Sequence, residues 1–424
     1  MRTMNSPVEI PHSDKPYAVV IGLDCFTGLQ SARILARKKV PVIGIGGSSE
    51  HPCFKTKVCK AKLSANIGST DFIDLLETIG PKLSQKAVLF PCTDMSVFIL
   101  SQNRERLKDW FHIALPDAST VELLMDKVRF YTFCQKEGFP IPGTYFLNNM
   151  SDAENAAEKL NFPTILKPPM KTPTWEANAK YKVYKIESAQ ELRDVYRQVH
   201  KWADTLMVQE WIEGGDDSLF SLNCYFSKQS KPLATFIAKK IRQWPPETGT
   251  SSLGVEVRND EVLKESVKLF EYVNYSGLGY VEMKQDTRTG NHYIIEPNIG
   301  RPTGRSAITE AGGVELLYTK YCDLVGLPLP QNRTQKYQNA KWIYLRRDLQ
   351  SAYAYWKKGK LTFREWRQTM KGKKFYAIFS WSDPVPFIED LRVTFVKKGL
   401  KKQSSKSAEN TNTASTAFKT AKLK

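Results

Sequence analysis

Several features that would place this chain in a specialised class of protein are missing from its sequence. No apolar run approaches the roughly 20 residues of a membrane-spanning helix, and the N-terminal residues lack the apolar core of a secretory signal peptide. The cysteines number seven, an odd count, and include no C-x-x-C pair. Neither a disulfide framework nor a zinc site is therefore predicted. Together these absences predict a protein of the cytoplasm.

Acidic residues are scarce in the last quarter of the chain. Residues 331–424 hold 22 Lys/Arg against 6 Asp/Glu, so they carry +16 of the total charge of +18. From residue 401 onward Ser, Thr, Asn, Ala and Lys dominate, which predicts a disordered basic tail over 401–424. The charge favours contact with an anionic membrane surface at the inner face. An acidic partner, an anionic substrate or a merely solvated surface remain alternatives, and nucleic acid is disfavoured because no recognition motif accompanies the charge.

The composition is otherwise that of an ordinary globular protein. A length of 424 residues with 41% hydrophobic content allows two or three domains. Residues 18–22 predict a buried strand, 29–39 a helix and 40–45 a second strand, which together form a βαβ unit. Such a sheet binds ligands at the carboxyl ends of its strands, so Gly22–Gly28 and Gly44–Ser49 are predicted at the edge of a site. The glycines do not form G-x-G-x-x-G, which disfavours a dinucleotide site.

Another predicted strand, over 87–90, ends in the polar residues Thr93 and Asp94, which either contact a substrate or cap a turn. Further along, the pattern S-x-x-E predicts helix starts at Ser119, Ser151 and Ser188, and T-x-x-E predicts one at Thr362.

A β-hairpin is predicted between residues 277 and 299, because two short apolar runs flank a polar turn that contains glycine. Placing Glu282 opposite Glu296 also pairs Lys284 with Ile294 and leaves 287–291 as the loop. Two carboxylates facing one another are destabilising unless something compensates.

Asn298 lies on the same face as Glu296 by the period of two, which adds a neutral oxygen ligand. Hard oxygen ligands of this kind suit Mg²⁺, with Mn²⁺ as an alternative ion. Arg301 and Arg305 follow at once and would supply cationic donors to a polyphosphate. The alternative is an exposed hairpin whose glutamates simply face water.

The sequence Val-Glu-Met, followed fourteen residues later by Ile-Glu-Pro-Asn with an arginine beyond, resembles the metal-binding end of the ATP-grasp superfamily. Members of that superfamily are mostly ATP-dependent carboxylate–amine ligases. The resemblance implies that Glu282, Glu296 and Asn298 hold the metal and that Arg301 orients the substrate carboxylate and the transferring group.

Four further pieces of the chain fit the same resemblance. Lys127, at the start of a helix, and Lys167, at the end of a strand, would reach the ATP phosphates, although each could be a solvated surface lysine. In the segment after residue 206, Glu210 and the backbone of Trp211 and Ile212 would meet adenine. The remaining residues that the resemblance implies are Asp216 or Asp217 for the ribose and Lys240 and Arg242 for the phosphates.

The alternative for the acidic segment is a hairpin turn with its carboxylates in water. Lys240 and Arg242 lie on one strand, where the period of two predicts a shared face, and the loop that follows is predicted to gate the substrate. One departure from the family stands out: Lys167 is followed by Pro-Pro-Met-Lys-Thr-Pro rather than by a glycine-rich loop. The cover over the phosphates must therefore be built differently or be less mobile.

These observations predict an α/β and α+β protein in four parts. A Rossmann-like pre-ATP-grasp domain (17–118) precedes an ATP-grasp domain (119–330) with subdomains 119–206 and 207–330. A basic aromatic-rich module (331–400) and the disordered tail complete the chain. The predicted activity joins a carboxylate and an amine, an amino acid among the candidate substrates, through an acyl phosphate, with ADP and phosphate released. The alternatives are an ATP-grasp kinase, a noncatalytic nucleotide-binding scaffold and, less favoured, a nucleic-acid-binding protein.

Overall fold

The structure of the protein is a computed structural model that describes residues 9–170, 172–181, 183–247 and 249–394. Three β-sheets form within this part of the chain. The predicted disordered tail over 401–424 lies outside the described residues. No helix among those described is long and apolar enough to cross a membrane.

The N-terminal sheet is parallel. Its strands are β1 (Ala18–Ile21), β2 (Val42–Gly46), β3 (Ala61–Ser64), β4 (Ala87–Pro91) and β5 (Phe111–His112), and the helices are α1 (Phe26–Arg37), α2 (Asp71–Ile79), α3 (Asp94–Gln102) and α4 (Arg104–Leu107). The strand order is β3-β2-β1-β4-β5, so the winding direction reverses between β1 and β4. Every residue of β1, β2 and β4 is buried, as expected for parallel strands covered on both faces. The predicted βαβ unit is confirmed.

A small antiparallel sheet follows. Its strands are β6 (Thr144–Leu147), β7 (Thr164–Lys167), β8 (Tyr184–Ile186) and β9 (Leu206–Glu210), and the helices of this region are α5 (Ala118–Met125), α6 (Lys127–Glu137), α7 (Met150–Lys159), α8 (Pro173–Asn178) and α9 (Ala189–Val199). The order is β6-β9-β7-β8, and this sheet has a hydrophobic core of its own with α7, α8 and α9. Because β9 belongs to this sheet, the chain leaves it after Glu210 rather than at the predicted subdomain boundary of 206.

Two of the four predicted helix starts are wrong. Helix α7 begins at Asn149, whose side chain accepts from the Asp152 amide at 3.0 Å, and α5 begins after Asp117. Ser151 and Ser119 therefore lie inside their helices, because a residue nearer the N-terminus takes the cap position. The Ser188 cap and the Thr362 capping box are confirmed.

The third sheet has seven strands. They are β10 (Leu219–Phe226), β11 (Pro232–Trp244), β12 (Thr250–Glu256), β13 (Gly277–Gln285), β14 (His292–Ile299), β15 (Lys341–Ile343) and β16 (Lys374–Tyr376). The associated helices are α10 (Asp260–Tyr272), α11 (Ile308–Ala311), α12 (Leu316–Val325), α13 (Leu345–Lys357), α14 (Phe363–Thr369) and α15, whose described residues are 385–394. The order is β14-β13-β10-β11-β12-β15-β16.

The C-terminal segment is part of this third sheet. Strand β15 pairs with β12, with Trp342 opposite Gly254. The buried pair Arg33–Asp383, with Nε and Oδ2 2.9 Å apart, also joins the segment to α1. The structure therefore does not separate residues 331–394 from the rest as an appended module. The excess of basic residues after residue 330 is therefore a property of the protein surface. It does not mark a boundary between separately paired groups of strands.

Candidate functional site

The hairpin of β13 and β14 forms one wall of the candidate site. Glu282 lies opposite Glu296, as predicted. The register shifts immediately afterwards, so that Lys284 faces Tyr293 and not Ile294, and the predicted Lys284–Ile294 pair is wrong. The cause is a β-bulge, in which two residues of one strand oppose one residue of the other. The bulge leaves the two glutamates paired and shifts by one residue the pairing of the strands between Glu282 and the turn.

Two cations lie against the buried carboxylate of Glu282. Its Oε1 is 2.6 Å from Nζ of Lys240 and 3.6 Å from Nη2 of Arg305. Burial alone would raise the pKa of Glu282, but these cations outweigh it and lower the pKa below its ordinary value. These two ion pairs compensate the negative charge of the carboxylate, as a carboxylate removed from water requires.

The turn after β14 directs Arg301 back towards Asn298. Gly300 has φ +71° and packs so tightly that a Cβ would lie 2.4 Å from Cδ2 of Leu115, so only glycine fits there. Nη2 of Arg301 donates to Oδ1 of Asn298 at 2.8 Å. The same guanidinium binds Asp94, at the N-terminus of α3, with both Asp94 oxygens. A residue of the N-terminal domain thus fixes the arginine that follows the hairpin.

Two neighbouring cavities meet at Tyr280, Glu296 and Arg301. The first measures about 400 Å³ and the second about 380 Å³. The other residues around the first are Phe26, Thr27, Lys240, Gly249, Thr250, Ser251, Glu282, Thr303, Gly304, Arg305 and Trp342. The other residues around the second are Asp94, Leu124, Met125, Lys127, Phe130, Tyr131, Ile295, Pro297, Asn298 and Ile299. Each cavity has the volume of a small-molecule site.

The residues between the cavities fit a divalent metal ion. Two carboxylates that face one another across the hairpin and a neighbouring amide oxygen form the hard, oxygen-rich ligand set that Mg²⁺ prefers. Within the described ranges, no three His, Cys, Asp or Glu side chains cluster as metal ligands. The candidate set contains only two of those residue types, so the remaining ligands would come from phosphate and water.

Lys127 is the first residue of α6. Asp126 caps this helix by accepting from the Arg129 amide at 2.9 Å, and Lys127 then contributes to the second cavity beside Glu296 and Asn298. This placement brings the predicted phosphate lysine to the predicted metal ligands.

Lys167 is the last residue of β7, opposite Met207 of β9. The segment that follows it forms helix α8, whose Trp175 is buried in the core of the small sheet. A short helix thus occupies the place of the glycine-rich loop that the resemblance leads one to expect, in agreement with the predicted departure.

The predicted adenine-binding segment leaves β9 at Glu210. Oε1 of Glu210 accepts from the amide and the side chain of Asn161, at 3.0 and 2.8 Å, and the Trp211 amide donates to the Pro163 carbonyl. Sequence reasoning missed Lys284, whose Nζ lies 4.5 Å from the centre of the Trp211 ring. Burial lowers the pKa of Lys284. Its position on β13, next to the metal ligands, is the signal that could have identified it.

The two candidate ribose ligands differ in their surroundings. Asp216 is buried and accepts from the amide and side chain of Gln243, at 3.1 and 2.7 Å, and from the Tyr355 hydroxyl at 2.6 Å. Asp217 is 64% exposed and lies 3.8 Å from Lys239. Of the two predicted ribose ligands, Asp217 is the one whose oxygens are accessible.

The structure brings only one of the two strand cations to the cavities. The pairing of β11 with β12 is irregular around residue 241, so the period-two argument for a shared face does not hold. Lys240 contacts Glu282, whereas the buried guanidinium of Arg242 binds both oxygens of Asp348 at 2.8 and 3.0 Å. Arg242 is thus removed from the metal ligands and joins β11 to α13.

The segment predicted to gate the substrate, residues 243–252, includes the last two residues of β11, the connection after it and the first three residues of β12. Gly249, Thr250 and Ser251 line the first cavity, while Thr248 lies outside the described residues. Oε1 of Glu247 is 3.5 Å from Nζ of Lys360. An exposed ion pair therefore links the middle of this segment to the C-terminal part of the chain.

Three aromatic residues of the first cavity were not predicted. Phe26 comes from the N-terminal domain, within the predicted site edge Gly22–Gly28, Tyr280 comes from the hairpin, and Trp342 comes from the C-terminal segment. The indole of Trp342 donates to Oε1 of Gln30 at 2.8 Å. Tyr280 could have been found by counting two residues back from Glu282, but no local pattern indicates Phe26 or Trp342.

Two ligases of known activity are similar in sequence to part of the chain. The chain is 24% identical over 233 residues to a D-aspartate ligase of Enterococcus faecium, covering 53% of this chain and 55% of that protein. It is 25% identical over 187 residues to a D-alanine–D-alanine ligase of Pseudomonas putida, covering 42% and 54%. The chain thus spans about half the length of the curated relatives it matches. No family model matches the chain.

Solved structures resemble the protein over a larger share of its length. The N5-carboxyaminoimidazole synthetase of Staphylococcus aureus superposes with a TM-score of 0.60 at 15% identity, covering 78% of this chain and 82% of that one. The biotin carboxylase domain of the Hydrogenobacter thermophilus 2-oxoglutarate carboxylase, in complex with MgADP and bicarbonate, gives 0.58 at 15% identity, covering 77% and 72%. At these identities the resemblance concerns the fold.

Proposed function

The chain has the ATP-grasp fold, and from that premise we propose that it is an ATP-dependent carboxylate–amine ligase. The observation that carries the proposal is the pair Glu282 and Glu296, which face one another across the hairpin with the cations Lys240 and Arg305 beside Glu282. That arrangement suits a metal-bound polyphosphate, because two carboxylates neutralise the ion while the cations beside them meet phosphate oxygens.

ATP is the proposed phosphate donor, held between the small sheet and the third sheet. Glu210 and the backbone of Trp211 and Ile212 bind adenine, and Asp217, with Asp216 as the less accessible candidate, binds the ribose. Lys127, Lys167 and Lys240 bind the phosphates. Mg²⁺, or Mn²⁺, held by Glu282, Glu296 and Asn298, would neutralise charge on the phosphates.

The carboxylate substrate is proposed to enter the cavity beside Arg301 and Arg305. One of its oxygens forms a bond to the γ-phosphorus while the bond to the ADP oxygen breaks, which leaves an acyl phosphate. The amine nitrogen then bonds to the acyl carbon, loses a proton, and phosphate departs with the electrons of the broken C–O bond. Arg301, partly buried and held by Asp94, would orient the carboxylate and stabilise the transferring group.

An amino acid is the proposed substrate class for at least one of the two reactants. The matched relatives are named for ligation of D-aspartate and of D-alanine, and an amino acid carries both a carboxylate and an amine. The predicted cytoplasmic location suits an ATP-dependent enzyme. Contact of the basic C-terminal region with an anionic membrane is proposed as a separate property.

The deciding experiment measures ADP release against a panel of L- and D-amino acids and simple carboxylates, singly and in pairs. A ligase requires a carboxylate and an amine together. A kinase of the same fold would release ADP with a single acceptor, and a noncatalytic scaffold or a nucleic-acid-binding protein would release none. Detection of the amide product by mass spectrometry separates ligation from uncoupled hydrolysis.

A further inference from the structure

We propose that the outward faces of α13 and α14 form a docking surface for an anionic lipid membrane. This aromatic–basic face consists of Leu349, Tyr353 and Trp356 on α13 and Phe363 and Trp366 on α14. It lies outside the candidate ligase site, and its role does not depend on the reaction that the site performs.

The aromatic–basic face exposes an unusual amount of apolar surface. Tyr353 is 54% exposed, Trp356 59% and Phe363 71%. The rings form two adjacent pairs, with centroids 5.8 Å apart for Tyr353–Trp356 and 5.7 Å apart for Phe363–Trp366. Between the helices lies an apolar groove of about 450 Å³. Contiguous exposed apolar patches of this kind mark interaction sites rather than ordinary protein surface.

Positive charge surrounds these aromatic residues. Residues 345–374 contain only two acidic side chains, Asp348, which is fully buried against Arg242, and Glu365, which caps α14. The basic side chains of the same stretch are Lys/Arg 346, 347, 357, 358, 360, 364, 367, 371, 373 and 374. Nζ of Lys357 lies 4.8 Å from the centre of the Tyr353 ring. The cation of Lys357 thus lies against an exposed ring of this face.

The opposite side of α13 is fixed to the third sheet. The Ser351 hydroxyl donates to the Gln243 carbonyl at 2.8 Å, and the Tyr355 hydroxyl donates to Asp216 at 2.6 Å. With the Asp348–Arg242 pair, these contacts hold the helix along its inner side. The helix is therefore held rigidly with its outer side free of these contacts. A rigid surface loses less conformational entropy when a partner binds.

Charge complementarity selects the partner. Residues 395–424 carry eight lysines and one glutamate, so this segment of the chain would be repelled from the face. A second copy placed face to face would oppose one basic surface with another. An anionic bilayer offers negative headgroups to the lysines and arginines and an apolar boundary to the rings, the environment in which Trp and Tyr concentrate at membranes.

The test is co-sedimentation of the full chain with phosphatidylglycerol/phosphatidylcholine vesicles and with pure phosphatidylcholine vesicles, at low and at high salt. We expect binding to the anionic vesicles only, lost at high salt because the Debye length shortens. The double variant Trp356→Ser/Phe363→Ser should lower the partition constant by about tenfold or more. Lys357→Glu/Lys358→Glu should also weaken binding at low salt, because two positive charges become negative. Removal of residues 397–424 should weaken binding without abolishing it.

The matched control is Tyr181→Ser/Lys136→Glu, which changes an exposed aromatic residue and an exposed lysine outside the aromatic–basic face. It should bind as the unaltered protein does. Melting temperatures should stay the same in the variants that carry substitutions, because the altered side chains are exposed. Four outcomes would overturn the proposal: equal partitioning to neutral vesicles, no binding at low salt, unchanged binding by the Trp356/Phe363 variant, or complete loss on removal of 397–424. Dissociation of a dimer by that variant without vesicle binding would assign the face to a second copy instead.

Discussion

Arg301 and Asp94 join the N-terminal domain to the third sheet. Nε and Nη2 of the arginine lie 2.6 and 3.0 Å from the two oxygens of the aspartate. Asp94 starts α3 at the carboxyl end of β4, next to the point where the winding of the N-terminal sheet reverses. This edge of a doubly wound sheet is where ligands bind, and here it also supports an arginine of the neighbouring sheet.

Replacing that aspartate tests its positioning role. Asp94→Asn should leave Arg301 without its ionic partner and lower kcat by about tenfold or more, because transition-state stabilisation depends on fixed donors. ATP binding without the second substrate should change little. The measurement is steady-state ADP release together with nucleotide affinity. Asp74→Asn, which breaks an exposed ion pair with Arg106 in the same domain, should retain normal turnover. A similar loss in both variants would reduce the Asp94 effect to general destabilisation.

Glu296 tests the metal site. Glu296→Gln keeps the shape of the side chain and removes its charge, so Mg²⁺-dependent turnover should nearly disappear while the melting temperature stays close to that of the unaltered protein. Titration with Mg²⁺ during ADP release, combined with thermal melting, measures both effects. Glu271→Gln, at a largely solvated ion pair with Lys231, is the control. Unaltered activity in Glu296→Gln would remove this residue from the metal site.

Lys167 tests the phosphate site. Lys167→Ala should weaken ATP binding by about tenfold or more, because a lysine that meets phosphate acts as a point charge, while the melting temperature without nucleotide changes little. Isothermal titration with a nonhydrolysable ATP analogue gives the affinity. Lys159→Ala, at the exposed end of α7, should bind normally. An unchanged affinity for the ATP analogue would show that Lys167 does not bind phosphate.

Burial acts to raise the pKa of Glu282, while Lys240 and Arg305 together act to lower it. The folded pKa of Glu282 lies below its ordinary value, so the stability contributed by this group is present above that ordinary value and is lost as the pH falls through the folded pKa. Lys240→Met should raise this pKa, because burial would then be opposed by Arg305 alone. The acid limb of the Mg²⁺-dependent pH–rate profile should move to higher pH. A limb that stays in place would show that another group controls it.

Arg242 is expected to act on stability and not on chemistry. Arg242→Met leaves Asp348 buried without its partner, which should cost about 3–5 kcal/mol of unfolding free energy. The double variant Arg242→Met/Asp348→Leu should recover much of that loss, since it leaves no unpaired buried charge. Urea denaturation measures both variants. Full stability with lost turnover in Arg242→Met would restore the catalytic role that the sequence predicts for this residue.

The parts of the site that follow from local pattern were predictable. The pairing of Glu282 with Glu296 came from counting outward from one turn, and Lys127 was placed at the start of a helix. What failed depends on backbone irregularity or distant contacts. The bulges beside Glu282 and near residue 241 leave no mark in the composition of their strands. Asp348 lies 106 residues after Arg242, so no spacing rule connects the two.

The C-terminal segment was misjudged for a related reason. Its charge suggested an independent module, whereas pairing of β15 with β12 is decided by main-chain groups that carry no charge signal. Trp342 consequently lies in the first cavity, although its neighbours in sequence look like those of a basic surface. The charge of the segment describes the protein surface that it forms. Main-chain hydrogen bonds determine which sheet it joins.

The pairing of β15 with β12 has a practical consequence for anyone shortening the chain. Ending it at residue 330 would turn β12 into an edge strand with a row of unpaired N–H and C=O groups, which is a template for aggregation. The same truncation would leave the buried guanidinium of Arg242 without a counter-ion. It would also remove the wall of the first cavity that Trp342 forms. A fragment that ends at residue 330 should therefore precipitate. A fragment that continues through residue 394 keeps all seven strands of the sheet.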